Sequence, residues 1–98
     1  MRYTVEKTDE FNAWFNALKD KQAQRSIGVR VVRAEQGNFG NYRPLRCGVS
    51  EMKIDIGKGY RVYYTIRRQK VIFLLCGGDK STQQKDIQKA IQIAETIK

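Results

Sequence analysis

Val71-Ile72-Phe73-Leu74-Leu75-Cys76-Gly77-Gly78-Asp79-Lys80-Ser81 is the stretch on which the fold turns. It opens with six consecutive residues that carry no polar side chain longer than a thiol. A run this short, rich in Val, Ile and Phe and closed by two glycines, reads as a strand buried on both faces, and so as a central strand of a sheet. The glycines lead into Ser81-Thr82-Gln83-Gln84, where a Ser at the helix N-cap and a Gln three residues later read as a capping box. Asp79 and Lys80 then stand between a rigid strand and a helix N-terminus, where chemistry or an anion contact is expected.

Downstream, Ile87, Ala90, Ile91, Ala94 and Ile97 line one face of a last helix. Upstream, the pattern alternates. Val49, Met52, Ile54 and Ile56 point inward, with Glu51, Lys53 and Asp55 outward. Gly57-Lys58-Gly59 is a hairpin turn. Tyr60, Val62, Tyr64 and Ile66 then point inward, leaving Arg61, Tyr63, Thr65 and Arg67 on the other side, and Arg68-Gln69 turns into the organising strand. These strands form an antiparallel meander. Gly37 to Tyr42 is a loop by composition. Before it, Asp20 caps a helix running to about Gln36, with Gly37 as its stop. Its seam is Ala23, Ile27, Val31 and Ala34; Lys21, Arg25, Arg30 and Arg33 lie off the seam and read as solvated surface. Thr8 caps a first helix whose Phe11, Trp14, Phe15 and Leu18 form one apolar stripe belonging to the core. Tyr3 to Glu6 is a short edge strand. The fold expected is α+β: an N-terminal helical hairpin packed on a small antiparallel (mixed) sheet, with a C-terminal helix, in one domain spanning residues 1–98.

The chain has 98 residues, a formal net charge of +9 and 41% hydrophobic residues. Core material with such basicity implies a folded protein with a polyanion partner, whether RNA, DNA or an acidic protein. No apolar run approaches the ~20 residues needed to cross a bilayer, and Met1 to Glu6 has no signal-peptide core. Cys47 and Cys76 read as reduced thiols, so a cytoplasmic protein without a membrane role is expected. With no His and two distant Cys, neither a metal nor any other cofactor is expected, and imidazole acid–base chemistry is excluded. Gly78-Asp79-Lys80-Ser81 has a superficial phosphate-loop look, but Asp79 stands where a glycine should precede the Lys.

From Asn41 to Lys70, eight basic residues stand against Glu51 and Asp55, a net +6. The sheet face opposite the hairpin is therefore read as an exposed, basic, aromatic-dotted platform. Arg43, Arg46, Lys58, Tyr63 and Arg67 are its candidate RNA contacts. Lys53 and Arg61 share that face on adjacent strands, and Lys80 emerges at the end of the next. Three converging cations could support cleavage of RNA by its own 2′-hydroxyl: Arg grips phosphate oxygens bidentately, and Lys supplies charge and protons.

Gly37-Asn38-Phe39-Gly40, Gly59-Tyr60-Arg61-Val62-Tyr63-Tyr64 and Leu74-Leu75-Cys76-Gly77-Gly78-Asp79-Lys80-Ser81 resemble the RelE/ParE superfamily of bacterial toxins, most closely its phage Gp49-like, HigB-type branch. The resemblance spans essentially the whole chain. It implies a RelE-like fold and a type II toxin neutralised by a cognate antitoxin, acidic or bearing a helix-turn-helix. RelE-like members cleave mRNA on the ribosome, which by strand position implies Lys53, Arg61 and Lys80 as the catalytic residues. ParE-like members share the fold but inhibit DNA gyrase without nuclease activity. The chain departs from RelE-type toxins in having one lysine, flanked by Glu51 and Asp55, where they have two. It also has Asp86 nearest the place of a C-terminal tyrosine.

Overall fold

The computed structural model describes residues 2–97. Five strands and three α-helices run in the order β1 (Thr4–Lys7), α1 (Asp9–Asn16), α2 (Lys21–Glu35), β2 (Tyr42–Pro44), β3 (Val49–Ile54), β4 (Tyr60–Arg67), β5 (Val71–Asp79), a 3-10 turn (Lys80–Thr82) and α3 (Gln83–Glu95). The strands form one sheet in the order β1-β5-β4-β3-β2. From β2 to β5 it is the expected antiparallel meander; β1 joins it in parallel at the β5 edge, making the sheet mixed. The organising stretch lies inside the sheet, between β1 and β4. Tyr42–Pro44, read from sequence as the end of a loop and its sequel, is instead a short edge strand. An edge is where a residue without a backbone N–H is tolerated.

Both N-terminal helices start where their caps predict. Thr8 Oγ1 accepts from the Phe11 amide at 3.0 Å, and Asp20 Oδ1 accepts from the Ala23 amide at 3.1 Å. α2 ends in a Schellman motif: the Gly37 amide donates to Ala34 O at 2.9 Å and the Asn38 amide to Arg33 O at 2.9 Å, with Gly37 at φ 95°. The predicted stripes face the sheet. Phe11, Ala23, Ile27 and Ala34 join Met52, Ile54, Tyr60, Val62, Tyr64, Ile72 and Leu74 in one core, with Trp14, Phe15 and Leu18 packed at its margin.

The opposite sheet face is not open. Helix α3 lies across it and closes a second core of Val49, Tyr63, Leu75, Cys76, Ile87, Ala90 and Ala94. Val49, expected to share a face with Met52, belongs to this side, because strand residues two apart face together. Beneath α3, the register of β5 slips. Tyr64 pairs with Leu74 but Tyr63 pairs with Cys76, leaving Leu75 as the extra residue of a β-bulge. Thr8 secures this bulge by donating its hydroxyl to Leu75 O at 2.7 Å. Past the bulge the alternation is inverted, so Gly77 faces α1 and Gly78 faces α3. Each glycine is required by what crosses it. A Cβ on Gly77 would overlap the Trp14 indole, and one on Gly78 would overlap the Asp86 carboxylate.

The expected capping box at Ser81 does not form. Asp79 Oδ1 accepts from both the Ser81 amide (2.8 Å) and the Ser81 hydroxyl (2.5 Å), capping the 3-10 turn, and α3 begins two residues later behind Thr82 without a side-chain cap. The Asp79 carboxylate is the stronger acceptor, so it takes the Ser81 amide that the Gln84 side chain would have accepted and engages the Ser81 hydroxyl as a donor to itself. Among the described residues no helix is long and apolar enough to cross a membrane.

Candidate functional site

Lys53 and Arg61 are directly paired across β3 and β4, their side chains on the α3 side of the sheet. Two like charges in directly opposed positions are unfavourable. What offsets them sits one step along the same face: Glu51, paired across the ladder with Tyr63 and completely buried. Its Oε1 lies 3.8 Å from Arg61 Nε and accepts from Gln83 Nε2 of α3 at 3.1 Å. Its Oε2 lies 3.0 Å from Arg43 Nη2 on the edge strand, a close ion contact without hydrogen-bond alignment. One carboxylate thus ties together β2, β3, β4 and the first turn of α3.

Arg61 is 6% exposed, and its Nε has no hydrogen-bond partner among the described residues. Its outer nitrogens lead toward the β3–β4 turn, where Gly59, at φ 77°, leaves the floor clear: a Cβ there would stand 3.9 Å from Arg61 Nη1 and 3.7 Å from Lys80 Cβ. Lys53, Lys58, Arg61 and Lys80 line one open pocket of about 430 Å³ around this glycine, with Asp55 as its sole carboxylate. Small-ligand pockets run from about 300 to 1,000 Å³. Four cations facing one carboxylate make this a place for an anion.

The three cations singled out from sequence are therefore brought together. The other candidates scatter. Lys58 joins them at the turn. Arg43 is exposed but engaged with Glu51, and Arg46 is exposed in the β2–β3 turn. Two expectations need correction. Tyr63 is 0% exposed beneath α3 and offers no ring to a base; burial also pushes its phenol pKa well up, so it stays neutral. Arg67 is turned away: its Nη2 donates to Ala94 O at 3.0 Å, holding a carbonyl at the C-terminal end of α3. The exposed aromatic platform expected on this face does not exist, because the apolar stripe of α3 has no other surface to bury itself against.

Sequence reasoning missed two further residues, Glu51 and Arg30. Glu51 read as solvent-facing, although a lone acid between paired cations was the available signal. Arg30 read as solvated surface, but it is half-buried, and its guanidinium donates to Lys53 O at 2.6 Å and to Phe39 O and Asn41 O at 3.1 Å each. It staples the 37–41 loop to the strand that presents Lys53. Burial, then neighbouring Arg33, lower its pKa. Asp86, which the sequence resemblance places only nearest a missing tyrosine, lies over Gly78, the pairing partner of Arg61, and its Oδ2 accepts from the Thr82 hydroxyl at 2.5 Å.

The family model of the phage-derived protein Gp49-like group matches residues 13–98. The chain belongs to the Gp49-like family. A protein of Haemophilus influenzae described only as uncharacterized is 40% identical over 97 residues, covering 99% of this chain and 98% of its own. Among solved structures, this Gp49-like chain superposes on a mutant of the Escherichia coli toxin RelE in the free state with a TM-score of 0.75 at 18% identity, over 94% of this chain and 97% of that one. The RelBE2 toxin–antitoxin complex of Mycobacterium tuberculosis contains a chain matched at a TM-score of 0.63 and 18% identity, over 82% of this chain and all of that one. The fold of this Gp49-like protein is thus the RelE fold, as the sequence resemblance implied.

Proposed function

We propose that this protein is the toxin of a type II toxin–antitoxin pair and that it arrests translation by cleaving mRNA on the ribosome without a metal. The observation that carries the reading is the convergence of Lys53, Arg61 and Lys80, with Lys58, on one pocket at the end of the sheet. Family membership and the RelE fold support it, and the net charge of +9 suits a partner made of RNA.

In this reading the 2′-hydroxyl of a nucleotide gives up its proton to solvent water as its oxygen attacks the adjacent phosphorus. The bond to the 5′-oxygen of the next nucleotide breaks, leaving a cyclic phosphate and a 5′-hydroxyl. The Arg61 guanidinium, anchored from behind by Glu51, takes the non-bridging oxygens, whose charge grows in the transition state. Lys53 adds positive charge from the opposed strand. Lys80, exposed at the head of the turn before α3, supplies the proton that the departing 5′-oxygen needs. Arg61 is buried and Lys80 exposed, which suits one group that fixes phosphate geometry and another that follows it.

The test induces the parent protein and the Lys53→Ala and Lys80→Ala variants, each first shown to melt as the parent does. The parent should stop translation early and leave 5′-hydroxyl ends inside reading frames; the variants should do neither. If both variants arrest growth as the parent does, the site assignment is wrong. If the parent leaves mRNA intact but produces cleaved DNA and altered plasmid supercoiling, the target is gyrase.

A further inference from the structure

The outer face of α2 carries an apolar pair that the fold does not use. Val29 and Val32 are 45% and 54% exposed, one helical turn apart. A valine in an exposed helical position lowers helix propensity relative to alanine, and neither residue adds to a core. Beside them, α2 and the end of β3 enclose a groove of about 540 Å³ whose apolar wall is Val29, Ile54 and Ile56. Arg25 and Arg33 stand one turn before and after Val29 along the same groove, with Asp55 its only carboxylate. Neither arginine has a carboxylate within ion-pair distance among the described residues. Asp55 and Ile56 also line the cationic pocket, so the two recesses lie on either side of one rib.

We infer that this groove docks an acidic, aliphatic-anchored segment of a protein partner, with side chains such as Leu or Ile against Val29 and carboxylates spaced to meet Arg25 and Arg33. The inference rests on the toxin reading, in which the partner is the antitoxin. It adds that the antitoxin grips the toxin beside the cationic pocket and reaches the pocket across the Asp55–Ile56 rib. Basicity alone would also suit RNA. The valines decide against it, since a branched aliphatic side chain offers a base neither a stacking plane nor a hydrogen bond. Paired arginines around an apolar centre match the charge and the anchor of an amphipathic peptide instead.

The experiment uses the full-length chain and a Val29→Lys/Val32→Lys double variant, which removes the anchor while adding positive charge and replaces Val with a better helix former. The probes are the purified product of the gene adjacent to this chain's own, and ribosomal RNA. Protein binding should weaken at least tenfold at unchanged melting temperature, with growth arrest on induction retained and rescue by the co-expressed partner lost. Arg25→Glu/Arg33→Glu should weaken protein binding as well and make what remains less sensitive to salt than the parent's. If the parent binds its neighbour's product and the double-Lys variant binds within twofold, the groove assignment falls while the toxin reading stands. If the double-Lys variant gains RNA affinity and keeps its protein affinity, the face serves RNA. If the parent does not bind the product at all, the toxin reading falls with the groove.

Discussion

Replacing Glu51 by Gln keeps the size of the side chain and removes its charge from beneath α3. In the parent, the carboxylate is 0% exposed and Arg61 7% exposed at the side chain, so the charge removed is one that solvent scarcely screens. Removing one member of a buried pair leaves the other charge uncompensated, at about 3–5 kcal/mol. The Gln oxygen can still accept from Gln83, which places the expected loss near the lower end, about 3 kcal/mol. Arg43 adds little, since its side chain is 60% exposed. In a domain of this size each kcal/mol moves the melting temperature by about 4–8 °C, so a fall of roughly 12–24 °C is expected. Circular dichroism melts and urea titrations of the parent and of Glu51→Gln measure it. Glu51→Leu combined with Arg61→Met should recover much of the loss, because apolar residues can replace a buried pair at little net cost, while remaining non-toxic for want of Arg61. A Glu51→Gln protein that melts within about 3 °C of the parent would refute the pairing as the element that seats Arg61.

Gly77→Ala should lose about 1–3 kcal/mol, because the new methyl overlaps the Trp14 ring and α1 must lift from β5; unchanged urea unfolding would contradict that packing. Arg68 and Gln69 form the β4–β5 turn at φ 58° and 57°, a left-handed conformation that L-residues resist. Gln69→Gly should therefore stabilise by about 0.5–1 kcal/mol, read from the same titration. Burial pushes the Cys76 thiol and the Tyr64 phenol up to about 12, and raises Tyr63 too. Unfolded chains release these protons first, so the folded state binds more protons above the ordinary thiol value of 9.0, and stability must fall as pH rises from there. Urea midpoints between about pH 8 and pH 11 check the slope, and a flat profile would be inconsistent with the burial. Cys47, exposed, should react with a thiol reagent in the native protein, whereas Cys76 should react only after unfolding.

Periodicity and caps in the sequence determined most of the elements. Thr8, Asp20 and Gly37 set helix ends through local hydrogen bonds, and the Val71–Cys76 run marked a strand inside the sheet. The family resemblance and the three cations of the pocket were also readable, since Lys53 and Arg61 share a face by parity on adjacent strands and Lys80 follows the end of the next. What covers that face was not readable. Alternation tells which residues share a side, but whether Glu51 and Tyr63 meet water depends on where the Ile87–Ala94 stripe, far along the chain, finds its surface. Leu75 shows the same limit within one strand. Nothing local marks it as the bulged residue, yet the bulge decides that Gly77 meets Trp14 and Gly78 meets Asp86. Arg30 became a staple for the Lys53 strand because the 37–41 loop brings two carbonyls to it beside that of Lys53, an arrangement that exists only after the chain has closed. Hydrogen-bonding and packing preferences within a few residues are encoded locally, whereas the desolvation of a charge is a property of everything that packs around it.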